Sequence, residues 1–259
     1  MSGYQTINTS QSDHVATITL NRPERRNAIS NQMGSELLQV LDEFDRDDEI
    51  RVLVLTGAGS AFCAGADLTR EETGGKMDPD FEAGRQMYRR IFQAITKKIF
   101  DLNKPVIAML NGPAVATGFD MALACDLRVG CEHTRLRVRF TSIGGITAPG
   151  GSWLLVHTLG LPKAAELVYT DEFIPAEEAK ELGLLNKLVA SEDLEHETLS
   201  MARKIAAHDP SAIRLHKVFL HLSTKTDFDT YLETAAIGQA GLQVGGGLSK
   251  GIASFKERR

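Results

Sequence analysis

Small residues crowd two stretches far apart in the chain, Phe62-Cys63-Ala64-Gly65-Ala66-Asp67-Leu68 and Asn111-Gly112-Pro113-Ala114-Val115-Ala116-Thr117-Gly118-Phe119-Asp120. Each follows a short apolar run that reads as a strand, Val52-Leu53-Val54-Leu55 and Val106-Ile107-Ala108-Met109-Leu110, and each reads as opening into a helix. At such a turn, small side chains leave backbone N–H groups bare and backed by the helix dipole. Two amides of this kind meeting on one carbonyl oxygen would stabilise an enolate or a tetrahedral oxyanion, commonly the largest catalytic contribution in sites of that type. The pair therefore points to the chemistry of an activated carbonyl such as a thioester.

The elements that must hold these turns alternate between strand and helix. Val15-Ala16-Thr17-Ile18-Thr19-Leu20 has the composition of a buried strand. Ser30 is placed to cap a helix whose Met33, Leu37, Leu41 and Phe44 form one apolar stripe, before the acidic run from Asp45 to Glu49 ends the pattern. Ile91, Ile95, Ile99 and Leu102 give a second stripe leading into the strand from Val106, and Asp126 to Val129 supplies another short strand. Beyond Lys163 the pattern is largely helical, through Ala176–Leu182 and Leu194–Ala207 to a helix ending near Val244, with Gly245-Gly246-Gly247 separating it from a last helix, Leu248 to Phe255. The polar segment Thr69 to Pro79 reads as a flap over the site.

Composition narrows the function. A chain of 259 residues, 42% hydrophobic, suits one large core with a helical extension. Its net charge of -5 offers no general field for a phosphate backbone, which argues against nucleic acid as a partner. No apolar run approaches the roughly 18 residues of a membrane span, and Met1-Ser2-Gly3-Tyr4-Gln5 has no signal-peptide character, so a cytoplasmic location is expected. Cys63, Cys125 and Cys131 have neither metal-ligand nor disulfide spacing and read as small core residues; no metal is expected. His157 lies in an apolar helical stretch and reads as a hydrogen-bonded core residue.

Five segments in order, covering nearly the whole chain, resemble the crotonase superfamily, the enoyl-CoA hydratase/isomerase family. They are Leu20-Asn21-Arg22-Pro23-Glu24-Arg25-Arg26-Asn27-Ala28, Gly57 to Leu68, Asn103-Lys104-Pro105-Val106-Ile107-Ala108 with the loop that follows, and Ala122-Leu123-Ala124-Cys125-Asp126-Leu127-Arg128. The last runs from Gly150-Gly151-Ser152 through Ala176-Glu177-Glu178-Ala179 and Leu182-Gly183-Leu184 to Phe255. The resemblance implies an α/β fold, a crotonase-like spiral of repeated β-β-α units over residues 1–195, followed by a C-terminal helical trimerisation region over 196–259. It implies an acyl-CoA substrate of the kind used in fatty acid metabolism, no cofactor beyond the CoA of that substrate, and a homotrimer or a dimer of trimers.

By the same resemblance the two oxyanion amides fall on Ala66 and Thr117, and the acid/base position on Asp120. Ala116-Thr117-Gly118 departs from the family's usual three glycines. Asp120 is one methylene shorter than the family's glutamate, and a helix N-terminus is expected to lower its pKa toward the base form; a simple helix-start cap is the alternative. The second glutamate of a hydratase aligns with Phe140, and the acid of some isomerases and dehalogenases with Ala148, so neither partner acid is present. Arg22, Arg25 and Ala28 are implied along the pantetheine and phosphate path, Ala64 and Asp67 near the adenine, and Tyr88, Phe140 and Thr147 along the acyl pocket. The two arginines could equally form a solvated turn. Arg135, Arg137 and Arg139 alternate along a strand and could meet phosphate, a neighbouring subunit or solvent. The expectation is an enoyl-CoA hydratase- or isomerase-type enzyme. The alternatives are a hydrolase of a thioester or ring carbonyl using the same hole, and a CoA-binding scaffold without turnover.

Overall fold

The computed structural model describes residues 3–69, 80–246 and 248, so the expected flap and final helix lie outside the described residues, apart from Thr69 and Leu248. Nine strands appear among the described residues: β1 (Ile7–Ser12), β2 (Val15–Leu20), β3 (Val52–Gly57), β4 (Val106–Leu110), β5 (Ala114–Val115), β6 (Leu127–Cys131), β7 (Arg135–Arg137), β8 (Ile174–Pro175) and β9 (Lys187–Val189). The helices are α1 (Asn31–Arg46), α2 (Phe81–Met87), α3 (Ala94–Asp101), α4 (Thr117–Ala124), α5 (Gly151–Leu159), α6 (Leu161–Thr170), α7 (Ala176–Glu181), α8 (Leu194–Ala206), α9 (Pro210–Leu222) and α10 (Phe228–Val244).

A six-stranded sheet runs β1-β2-β3-β4-β6-β9, parallel throughout except for the β1–β2 hairpin. β3 is buried along its whole length. Its alternation sends Leu53 and Leu55 into the core shared with α1, α3 and α4, and Val52 and Val54 into a second core where Leu194, Ala202 and Ala206 of α8 pack. Because β3 and β4 are parallel neighbours, the loops that leave them emerge at the same edge of the sheet. Asn111 ties those loops at their base, its amide nitrogen donating to Gly59 O at 2.9 Å.

A second, three-stranded sheet, β5-β7-β8, lies beyond that edge. The order β4, β5, α4 and then β6, β7 and helix is the β-β-α repeat expected from the sequence. Ser30 caps α1 as expected, its hydroxyl accepting from Met33 N at 3.1 Å. The second apolar stripe is less regular than its spacing implies, because a π-helical turn, Tyr88–Gln93, joins α2 to α3.

Candidate active site

The two small-residue stretches lie side by side. Val115 N donates to Cys63 O at 2.9 Å, and Phe62 N and Cys63 N both donate to Pro113 O, at 3.1 and 3.2 Å. Close approach explains the glycines. A Cβ on Gly65 would stand 3.0 Å from both Ala116 Cβ and Val115 O and 3.5 Å from Thr117 N, and one on Gly118 would stand 2.4 Å from Cys63 O. Cys63 itself is buried, its thiol pushed up to about 12 by burial, so it supplies packing and no nucleophile.

Backbone pairing turns the Ala66 amide away from its bridge partner. Ile29 N donates to Gly65 O at 2.8 Å and Ile29 O accepts from Asp67 N at 3.0 Å. Ile29 thus bonds the neighbours on either side of Ala66, and in a parallel bridge of that kind the Ala66 N–H faces the opposite way. Thr117 is the first residue of α4, where N–H groups have no partner within the helix. Among the described residues neither amide donates to another protein atom. Ala116, just before Thr117, holds φ 51 and ψ -124, a conformation that costs a residue with a Cβ about 1–3 kcal/mol. Bonds from Ala116 N to Arg137 O and from Asp120 N to Ala116 O, both 3.0 Å, hold it there.

Asp120 lies on α4 with only 1% of its surface exposed. Gly151 at the start of α5 packs against its carboxylate, and the nearby backbone amide acts to lower its pKa. A Cβ on Gly151 would fall 2.0 Å from Asp120 Oδ1, so this close approach admits only glycine. Oδ2 is buried with no hydrogen-bond partner. The expected lowering of the Asp120 pKa is overturned: burial pushes it up to about 8, and the opposing pull of the Gly151 amide is smaller. One amide does not replace the hydration that a carboxylate loses in this interior.

A sequence model described as enoyl-CoA hydratase/isomerase matches residues 10–259. The chain belongs to the enoyl-CoA hydratase/isomerase family. It is 32% identical over 232 residues to a short-chain-enoyl-CoA hydratase of Clostridium acetobutylicum, covering 87% of this chain and 85% of that protein. It is 33% identical over 219 residues to a 1,2-epoxyphenylacetyl-CoA isomerase of Escherichia coli, covering 85% and 83%. The crystal structure of an enoyl-CoA hydratase from Bacillus anthracis superposes with a TM-score of 0.92 at 34% identity, over 98% of this chain and 97% of that one. The architecture is therefore the crotonase-type spiral of that family.

Around the centre of this family member, Phe140 is buried in the main core at the start of a short 3-10 turn, Thr141–Ile143. Tyr88 lies half-buried on the π-helical turn, its ring 5.7 Å from that of Phe92. Ala148 O accepts from Gln93 Nε2 at 2.9 Å. Thr147 faces inward and bonds Ser152.

Arg22, Ala28 and Asp67 come together, with Arg22 paired to Asp67 at 2.8 Å and donating to Ala28 O at 2.6 Å. Despite burial, which acts to raise it, hydrogen bonds from Thr69 and Arg22 hold the Asp67 carboxyl below its usual range. Arg25 lies exposed on the short turn Pro23–Arg25. Ala64 lines a cavity of about 410 Å³ with Arg26, Arg137, Arg139 and Phe173. Arg137 is also paired to Asp171 at 3.3 Å and stacked 5.1 Å over the Phe173 ring.

Sequence reasoning named Arg25 and missed Arg26, whose backbone at φ 51 turns away from the regular course of the chain. It also missed Gly151 as the partner of Asp120, although the Gly150-Gly151 pair before a helix was a visible signal of close approach. His157 is exposed rather than in the core, with Nδ1 2.8 Å from Trp153 O and its ring stacked on Trp153.

Proposed function

We propose that this protein isomerises an enoyl-CoA, shifting a double bond by moving one proton between carbons on either side of it. The thioester oxygen accepts hydrogen bonds from the Ala66 and Thr117 amides, and Asp120 Oδ2 removes a proton from the carbon chain. The electron pair moves toward the thioester oxygen as an enolate, and Asp120 returns the proton at the other end of the three-carbon unit. Water is neither added nor released.

The observation that carries this reading is a single buried carboxyl, one oxygen packed against Gly151 and the other unpartnered, with Phe140 where a second acid would be needed for hydration. A carboxylate with a raised pKa is a stronger base for a weakly acidic carbon. The active form is then the ionised one, so kcat/KM rises with pH through about 8 and levels off above it.

The nucleotide end of CoA fits the cavity beside Ala64, where Arg26 and Arg139 supply charge. No cofactor beyond the CoA of the substrate takes part. The apolar side chains that α9 and α10 leave exposed, among them Leu220, Phe228 and Ile237, suit burial against further copies of this chain, in the homotrimer or pair of trimers that the family resemblance implies; sedimentation measures this directly.

The test uses 2-enoyl- and 3-enoyl-CoA with mass detection and separation of isomers. An isomer of unchanged mass is expected. A product heavier by one water means hydratase chemistry, and free CoA means a hydrolase; either overturns the isomerase assignment. The absence of a partner acid at Phe140 and Ala148 also favours a second reading, a CoA-binding scaffold, for which no product forms and Asp120→Asn leaves CoA affinity unchanged.

A further inference from the structure

Five threonines inside helices use their hydroxyls alike. Thr96, Thr158, Thr170, Thr198 and Thr234 each donate to the carbonyl four residues earlier, at between 2.7 and 3.0 Å. Thr117, the first residue of α4, has no such acceptor. The oxygen four residues before it, Pro113 O, already accepts from Phe62 N at 3.1 Å and Cys63 N at 3.2 Å. A carbonyl oxygen has two lone pairs, so this one is fully used.

Only 2% of the Thr117 surface is exposed, and its hydroxyl makes no hydrogen bond with any described residue. It does not reach the Asp120 carboxyl, although residues three apart on a helix share a face. Unlike Asp120 Oδ2, however, Thr117 Oγ1 is not sealed inside the protein, so the little surface that Thr117 keeps open includes its hydroxyl. Hydroxyls in so enclosed a place normally have partners. Side chains on a helix lean toward its N-terminus, which at the first position of α4 is the end where the Thr117 N–H stands bare. Cα and Cβ alone separate Thr117 N from Oγ1, so in a staggered rotamer both donors can meet one acceptor.

We propose that the Thr117 hydroxyl is a third hydrogen-bond donor to the thioester oxygen, beside the N–H groups of Thr117 and Ala66. The inference rests on the reading of those two amides as the oxyanion site. The substrate supplies the acceptor that the hydroxyl lacks in the free protein, and that oxygen accepts most strongly as negative charge gathers on it in the enolate. The hydroxyl keeps its own proton throughout, and Asp120 remains the group that carries the proton between carbons. A donor of this kind acts on kcat more than on KM, because the neutral thioester of the ground state is the weaker acceptor.

Thr117→Val keeps the β-branch and the backbone N–H and removes only the hydroxyl. Thr117→Ala removes it with less bulk, should valine crowd the turn, and Thr117→Ser retains it. In both hydroxyl-free variants kcat is expected to fall roughly 10- to 100-fold at a nearly constant KM, with serine within about threefold of the wild type. The slower valine protein should still unfold at a urea concentration no lower than the wild type, since its missing hydroxyl had no partner in the fold.

Butyryl-CoA labelled with ¹³C at the thioester carbonyl reads the same contact without turnover. Its infrared carbonyl band should move to lower frequency on binding to the wild-type and serine proteins, and by less on binding to the valine and alanine proteins. The band separates these proteins even if enoyl-CoA isomerisation is not the reaction, so a wrong reaction and a wrong donor are told apart. Bands that do not differ between the wild type and both hydroxyl-free variants would overturn the proposal whatever the rates. A marked loss of stability in the valine protein would also overturn it, by giving the hydroxyl a partner inside the fold.

Discussion

Asp120→Asn removes a buried carboxyl whose ionisation the fold resists, and the resistance can be read as a dependence of stability on pH. In the folded protein Asp120 keeps its proton up to about pH 8, against 3.8 for an ordinary aspartate. Between those values the folded state binds more protons than the unfolded chain, so this group's contribution falls as pH rises through the window. Each unit is worth about 1.4 kcal/mol. The penalty relative to a neutral side chain is therefore about 4 kcal/mol at pH 7, and it grows by about 3 kcal/mol between pH 5 and pH 7. Asparagine carries no such dependence, but its amide places new donors where Oδ2 has no partner, a constant offset of about 1–3 kcal/mol. The pH dependence of the difference isolates the carboxyl. Urea unfolding of both proteins from pH 5 to pH 8 should show the variant gaining on the wild type, and in thermal scans a gain of about 3 kcal/mol corresponds to about 6–12 °C. Curves separated by a constant amount across that range would refute the burial argument for Asp120.

Gly151→Ala puts a methyl group 2.0 Å from Asp120 Oδ1 and should reduce kcat at least about tenfold in a protein that still folds, as steady-state kinetics will measure. Ala116→Gly relieves the backbone at φ 51, ψ -124 and should raise stability by about 1 kcal/mol in chemical denaturation; no gain would mean that this conformation stores little strain. Arg26→Ala at the cavity beside Ala64 should raise KM for an acyl-CoA several-fold while leaving that for the matching acyl-pantetheine unchanged, a comparison made by initial rates at two salt concentrations.

Much of the frame was legible because it is set locally. Ser30 and Met33 are three residues apart, so the cap of α1 is written in adjacent sequence, and the strands β2, β3 and β4 announce themselves as apolar runs. The small residues of the two loops could be recognised as places of close approach, and the order of the family segments carried the spiral. The π-helical turn at Tyr88–Gln93 was not legible, since Ile91, Ile95 and Ile99 fit an unbroken α-helical stripe equally well. Nor was the use of Arg22, whose charge reads as available for phosphate until folding brings Asp67 to 2.8 Å.

By itself the sequence determined which residue types stand at the turns, which positions lack an acid, and that two bare-amide loops follow two apolar strands. Tertiary structure alone decided that parallel pairing of β3 and β4 sets those loops against each other, and that Gly151 from a third segment meets Asp120. It also reversed the expected character of that carboxyl. Hydrogen bonding along a helix is a property of neighbours in sequence, whereas desolvation sums every atom packed around a group, and that sum exists only once the chain has folded.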